Sequence, residues 1–273
     1  MTADSVLGPL GVAVLAASLV GASTLAARRW GPSVGGALSA FPLIVGPVLF
    51  LAAERHGARF AAETADATLL GLVALAGFTL VYAWAATRSG WTASLMLAWA
   101  AAAALGAVTS VIELSLLGAG LCAAAAIAAA RMGLPATGAG PVKRATPTWD
   151  LPVRMASTAL LIILLTAAAN RFGSTIAGAL SALPAIASIL AVFTHRRDGH
   201  PATVDFLRGT LEGTVAFAVF CAVIGGFLER VGIAPAFIVA LAAALVAQTT
   251  AVRARVRKPS PDHPRTEIAS HRI

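Results

Sequence analysis

The sequence predicts an all-α polytopic membrane protein with about nine transmembrane helices, arranged 4+1+4 as inverted-topology repeats. Three observations lead there. The first is composition. The 273 residues are 58% hydrophobic and 12% charged, with a mean hydropathy of +0.84, whereas a soluble domain carries about 25% charged residues. Stretches such as 98–107 and 160–169 have almost no polar face, and a soluble helix needs one at helical spacing. The second observation is repetition. Arg29-Trp30-Gly31-Pro32-Ser33-Val34-Gly35-Gly36-Ala37-Leu38-Ser39-Ala40-Phe41-Pro42 returns without a gap as Arg171-Phe172-Gly173-Ser174-Thr175-Ile176-Ala177-Gly178-Ala179-Leu180-Ser181-Ala182-Leu183-Pro184. The offset that carries Arg29 onto Arg171 also pairs Thr68 with Thr210, Gly71 with Gly213, Val73 with Val215 and Phe78 with Phe220. This is the mark of an internal duplication, and a repeat of this kind sets the architecture. The third observation is where the charges lie, and it needs the helices first.

Helix one is expected over 6–27, ending at Arg28 and Arg29. Helix two covers 33–53 and carries the first copy of the motif. A polar loop with Glu54, Arg55, His56, Arg59 and Glu63 follows, and helix three covers 65–86. Residues 91–130 are about 40 nearly uncharged positions, roughly twice what one helix needs to cross a bilayer core. They are expected to form helices four and five, turning near Gly106 to Ser110. From 131 to 154 the Gly and Pro content rises and Lys143, Arg144 and Arg154 appear, as in a linker. Helix six follows over 155–169, helix seven over 174–194, helix eight over 204–228 and helix nine over 233–252. The basic, proline-bearing tail from Arg253 is expected to be disordered. The domain reading is therefore 1–107 for the first repeat, 108–130 for an extra helix, 131–154 for a cytoplasmic linker, 155–252 for the second repeat and 253–273 for the tail.

Helices one to four map onto six to nine, and helix five is the odd crossing. The second copy must then enter from the opposite side, an arrangement common in secondary transporters. Charge supports the count. With the N-terminus outside and the C-terminus inside, Arg55, Arg59, Arg171 and Arg230 fall outside and the other 16 of 20 basic residues fall inside, the bias that cytoplasmic loops show. The net charge of +8 is explained this way without nucleic acid. Asp4 and the lack of Lys or Arg before the first long apolar run do not fit a cleaved signal.

Each half, the second above all, resembles the GlpM-type family of small four-helix bacterial inner-membrane proteins. The carrying residues are Asn170-Arg171, then Ile176-Ala177-Gly178 leading to Leu183-Pro184, and the charged turn Arg196, Arg197, Asp198. The likeness covers about 6–107 and 148–252, and this chain departs from it as a tandem copy with an added helix. The resemblance implies a bacterial inner-membrane location and a loose tie to glycerol metabolism and exopolysaccharide production. It brings no active-site residues.

The repeated motif supplies the candidate solute path: Gly36, Ser39 and Pro42 with Gly178, Ser181 and Pro184. A proline inside a helix removes one hydrogen bond and crowds the carbonyl four residues earlier, here Leu38 or Leu180, and Ser39 or Ser181 stands ready to supply a local partner. Paired Gly/Pro interruptions in two halves point to a transporter binding site. The same small residues, Gly36 and Ala40 or Gly178 and Ala182, also allow plain close packing, and both readings stay open. Candidate gating or coupling charges are Asp205, Arg208 and Glu212, which share one helix face, with an Arg208–Glu212 pair at i, i+4, and Asp66 in the matching region. Inversion would place one acidic cluster at each mouth of a central path; solvated helix ends are the alternative. Glu113 reads as interfacial, Gln248, Thr249 and Thr250 as interhelical hydrogen-bonding groups, His56, His195 and His200 as solvated loop residues, and Trp30, Trp91 and Trp149 as interface anchors. Cys122 and Cys221 form no disulfide framework or metal motif. There is no GxSxG, HExxH, CxxC or Walker-type loop. No enzyme, cofactor or metal is expected. The two function classes are a small permease for a neutral, weakly polar or cationic solute, and a non-transporting membrane assembly or regulatory partner. The expected partners are the lipid bilayer, a solute, and a membrane protein or second copy.

Overall fold

The computed structural model describes residues 9–42, 45–112, 114–136, 147–172 and 184–256. Nine helices run through them: α1 (Pro9–Trp30), α2 (Pro32–Ser39), α3 (Val45–His56), α4 (Ala58–Ala86), α5 (Trp91–Ser110), α6 (Leu116–Gly133), α7 (Asp150–Phe172), α8 (Ala185–Val231) and α9 (Ile233–Val256). Five of them, α4, α5, α6, α8 and α9, are long and apolar enough to cross a bilayer.

The burial pattern is that of a membrane protein. On α5 the buried positions include Ser94, Ala98 and Ala102, and on α9 Ala236, Ala240 and Ala244. Small residues every fourth position let helices approach closely in lipid. Meanwhile Met96, Leu97, Leu117, Leu121, Ile238, Val239, Leu245 and Val246 lie exposed. An apolar surface this continuous has no place in water, and it fits hydrocarbon. The chain is a helical membrane protein.

α8 is 47 residues long, about 70 Å at 1.5 Å per residue and over twice a hydrocarbon core. It is two helices in one, residues 185–198 and 200–231, meeting at Gly199 with φ 79° and ψ −178°. The junction between α3 and α4 is built the same way, at Gly57 with φ 90° and ψ 163°. Such backbone is open essentially to glycine alone. The repeat offset carries Gly57 onto Gly199. Helix starts repeat with the same offset: Ala58 and His200, Trp91 and Ile233. So do buried residues: Leu69 and Leu211, Phe78 and Phe220, Ala98 and Ala240, Ala102 and Ala244.

α1 lies beside α7 and α4 beside α8, and each pair runs antiparallel. Arg28 near the end of α1 meets Asp150 at the start of α7, and Gly21, further back along α1, faces Met155. On α4 and α8, Asp66 faces Gly225 near one end, while Tyr82, toward the other end of α4, meets His195, which precedes the Gly199 bend of α8. α6 joins these two ends. Leu116 at its start packs on Gly225 and Gly226. At its far end Arg131 reaches Glu212, and the Gly133 carbonyl accepts the Trp84 indole N–H at 2.6 Å. α8 is the hub, packing on α2, α4, α6 and α9.

Several expectations are corrected. The helix foreseen over 33–53 is broken, not kinked: α2 stops at Ser39 and α3 starts at Val45. With Pro42 between them, no continuous ladder has to absorb the missing donor. The turn foreseen at Gly106 to Ser110 lies beyond Ser110, because α5 runs to that residue. α4 begins at Ala58, so Arg59 and Glu63 are helical and pair at 2.9 Å. The linker is shorter than 131–154, since α6 reaches Gly133 and α7 starts at Asp150. His56, His195 and His200 are helical, and His195 is half-buried against Tyr82. Glu113 and the tail beyond residue 256 lie outside the described residues.

Candidate functional site

The break after α2 is satisfied locally. Ser39 donates its hydroxyl to the Gly36 carbonyl at 2.7 Å, and the Leu38 carbonyl, expected to need Ser39, instead accepts from the Phe41 N–H at 3.2 Å. α3 then restarts with the Gly46 N–H bonded to the Pro42 carbonyl at 3.0 Å. The start of α8 repeats this bond: Ser188 N–H to the Pro184 carbonyl at 2.9 Å, joined by the Ser188 hydroxyl at 2.8 Å. Gly46 and Ser188 are again repeat mates, as are Pro42 and Pro184. The Trp99 indole N–H caps this corner by donating to Ser188 Oγ at 2.8 Å.

The two restarts face one cavity of about 960 Å³. Its walls come from Ala16 and Leu19 of α1, Ser39, Ala40 and Phe41 at the break, Thr64, Ala67, Thr68, Gly71 and Leu75 of α4, Gly106, Thr109 and Ser110 of α5, and Ile162 of α7. Pro184, Ala185, Ile186, Ala187, Thr210 and Phe217 complete it from the α8 side. It extends from the helix breaks to Ser110 and Ile112, both exposed at one end of the bundle. None of these described lining residues is charged.

Six of them carry hydroxyls, and each hydroxyl already donates to its own helix: Ser39 to Gly36, Thr64 to Phe60, Thr68 to Thr64, Thr109 to Gly106, Ser110 to Ala107 and Thr210 to Phe206. Back-bonding of this kind spends the proton and leaves each oxygen with acceptor capacity only, of which that of Thr210 is fully buried. The wall therefore offers hydrogen-bond acceptors on an apolar background.

Toward the other end the bundle is shut by backbone contact. A Cβ built on Gly36 would overlap the Phe206 carbonyl, one on Gly209 the Ser33 carbonyl, and one on Gly213 the Ala37 carbonyl. Glycine is needed at all three because α2 lies backbone to backbone on α8.

The candidate residues thus separate. Ser39 and Pro184 line the cavity. Gly36 belongs to the α2–α8 contact, and Pro42 is buried in the break. Gly178 and Ser181 lie outside the described residues. The candidate charges are not among the described residues that line the cavity. Glu212 is buried, 3.6 Å from Arg131 of α6. Arg208 lies 3.7 Å from Asp205 and donates to the Pro135 carbonyl at 3.2 Å. Asp66 turns away toward Gly225 of α8, its Oδ1 buried with no hydrogen-bond partner among the described residues. Helical spacing groups side chains on one face but does not say which neighbour that face meets. Among the described residues no cluster of His, Cys, Asp or Glu could hold a metal ion.

One charged cluster escapes the sequence reading. Asp150 Oδ2 is approached by Arg28 at 2.8 Å, Arg154 at 3.1 Å and Arg197 at 3.4 Å. The Asp150 side chain is 4% exposed and that of Arg154 6%. Arg154 also stacks 5.0 Å over the Phe193 ring. A signal was present: Asp150 is the only acid between Glu113 and Asp198, in a stretch rich in Lys and Arg.

No family model, curated protein or solved structure matches the chain.

Proposed function

We propose that the chain is a small-solute permease, channel-like or of alternating-access type, whose path lies between two inverted-topology repeats. The observation that carries this reading is the hydroxyl-lined cavity at the two helix restarts. Its acceptors, without charge, suit a neutral, weakly polar or cationic solute that brings its own N–H or O–H donors. Discontinuous helices meeting at a central cavity are how many secondary transporters build a site.

The inverted relation is supported by the antiparallel runs of α1 against α7 and of α4 against α8, the members of each pair being related by the repeat offset. In this reading all nine expected segments cross the membrane, α6 supplies the odd crossing, and the N-terminus is outside and the C-terminus cytoplasmic. The bias of 16 to 4 basic residues orients the chain in what we take to be a bacterial inner membrane. The arginine-rich end, with Arg28, Asp150, Arg154 and Arg197, is then cytoplasmic, and the cavity faces outward. The resemblance to the GlpM-type unit adds the location and no chemistry.

The test is cysteine labelling with a membrane-impermeant thiol reagent at Thr68→Cys and Ser39→Cys, in a chain whose Cys122 and Cys221 are replaced by Ser and Ala. Both should react from outside, and proteoliposomes holding the protein should release a neutral or cationic solute from a defined mixture. If both positions stay inert while loop cysteines label, the alternative of an assembly or regulatory partner takes over.

A further inference from the structure

We infer that the Asp150–arginine cluster is a one-sided latch that holds the path closed at the arginine-rich end. This rests on the permease reading above. The cluster ties three elements: Arg28 from the end of α1, Asp150 and Arg154 from the start of α7, and Arg197 from α8 just before the Gly199 bend. Arg28 stands shortly before Gly31, whose φ of 100° turns the chain from α1 into α2. α2 is the helix whose backbone contact with α8 shuts this end. The bond from Arg28 to Asp150 therefore pins the corner that has to move if α2 is to leave α8.

The electrostatics make Asp150 the keystone. One buried carboxylate oxygen serves three guanidinium groups, all within 3.4 Å. Remove its charge and, among the described residues, only Asp198, 3.5 Å from Arg197, stands against the three guanidinium groups, whose mutual repulsion little water is there to screen. The balance shifts from attraction toward repulsion at the point where α1, α7 and α8 converge.

The latch is present in one half only. The repeat mates of Asp150, Arg154, Arg28 and Arg197 are Gly8, Val12, Asn170 and Arg55. No acid stands where Asp150 stands. The repeat thus supplies two similar ends, and the charge cluster makes them unequal. It favours the form open toward Ser110 and Ile112.

The reporter is Thr203→Cys. Thr203 is fully buried on α8 at the arginine-rich end, one turn before Phe206, whose carbonyl faces Gly36 of α2. With the native cluster it should be protected from an impermeant thiol reagent applied from the arginine-rich side, in vesicles of that orientation. In the background of Asp150→Asn, and separately of Arg28→Gln, its labelling should rise about tenfold or more, as expected when one partner of a buried charge pair is lost from a two-state equilibrium. Thr68→Cys, labelled from the opposite side, is the control for the cavity. If Thr68→Cys labels and Thr203→Cys stays protected in both variants, the latch is wrong and the permease reading stands. If Thr68→Cys itself stays inert, the cavity reading fails and takes the latch with it. Arg28→Gln carries the test should Asp150→Asn not yield a monodisperse protein, because Arg28 is the more peripheral partner.

Discussion

Gly57 and Gly199 stand one repeat offset apart and turn the chain in the same way. They are repeat mates, have φ of 90° and 79°, and each is followed at once by a long helix. Residues with a Cβ are costly in this backbone. We therefore expect Gly57→Ala and Gly199→Ala to destabilise the protein by similar amounts, about 1–3 kcal/mol each. Thermal unfolding in detergent, followed by circular dichroism, checks this. A large loss at one glycine and none at the other would argue that the two turns are unrelated.

Gly213 and Gly71 are also repeat mates, but their surroundings differ. A Cβ on Gly213 would overlap the Ala37 carbonyl, whereas one on Gly71 meets no described atom within 4 Å. Gly213→Ala must push α2 off α8 and should cost about 1–3 kcal/mol as overpacking does. Gly71→Ala sits in a helix where alanine is the better former, and should be neutral or stabilising by up to about 1 kcal/mol. The same melting experiment separates them.

The ion pairs give a third contrast. Arg59 and Glu63 lie exposed on α4, with 83% and 62% of their side chains in solvent, so Glu63→Gln should leave the melting temperature unchanged. Asp150 is buried among arginines, so Asp150→Asn should cost about 3–5 kcal/mol as removal of one partner of a buried pair does. Equal melting temperatures for the two variants would mean that the Asp150 cluster is as hydrated as the exposed pair.

Thr68 tests the chemistry of the cavity wall. Thr68→Val keeps the shape and removes the acceptor oxygen. It should slow solute flux in proteoliposomes by several-fold, since one neutral hydrogen bond contributes about 0.5–1.5 kcal/mol. Thr249→Val, exposed on α9 and bonded to the Val246 carbonyl of its own helix rather than across helices as expected, should leave flux as it was. An equal effect of the two would remove the cavity from the account.

Much of this architecture is legible in the sequence, because lipid demands long apolar runs and the repeated motif brings repeated boundaries with it. The starts of α5 and α9, and their shared faces of small residues, follow from that alone. The break after Ser39 reads as a kink in the sequence, since glycine and proline permit either and only the packing of α2 on α8 decides. The cavity cannot be read there, because its hydroxyls come from α4, α5, α8 and the end of α2, far apart along the chain. Asp150 escapes notice when charges are sorted by side of the membrane, a method that treats each as solvated. Asp66 and Glu212 fall at the mouths of a path in that reading because spacing alone cannot tell a face that meets water from one that meets another helix.

The central claim is that the two copies cross the bilayer in opposite senses. Glu54 and Arg196 test it most directly, being repeat mates and both exposed at helix ends. Single cysteines at Glu54→Cys and Arg196→Cys, in a chain without Cys122 and Cys221, should label from opposite faces of the membrane: Glu54→Cys in intact cells, Arg196→Cys only after the membrane is opened. Labelling of both from the same face would contradict the account.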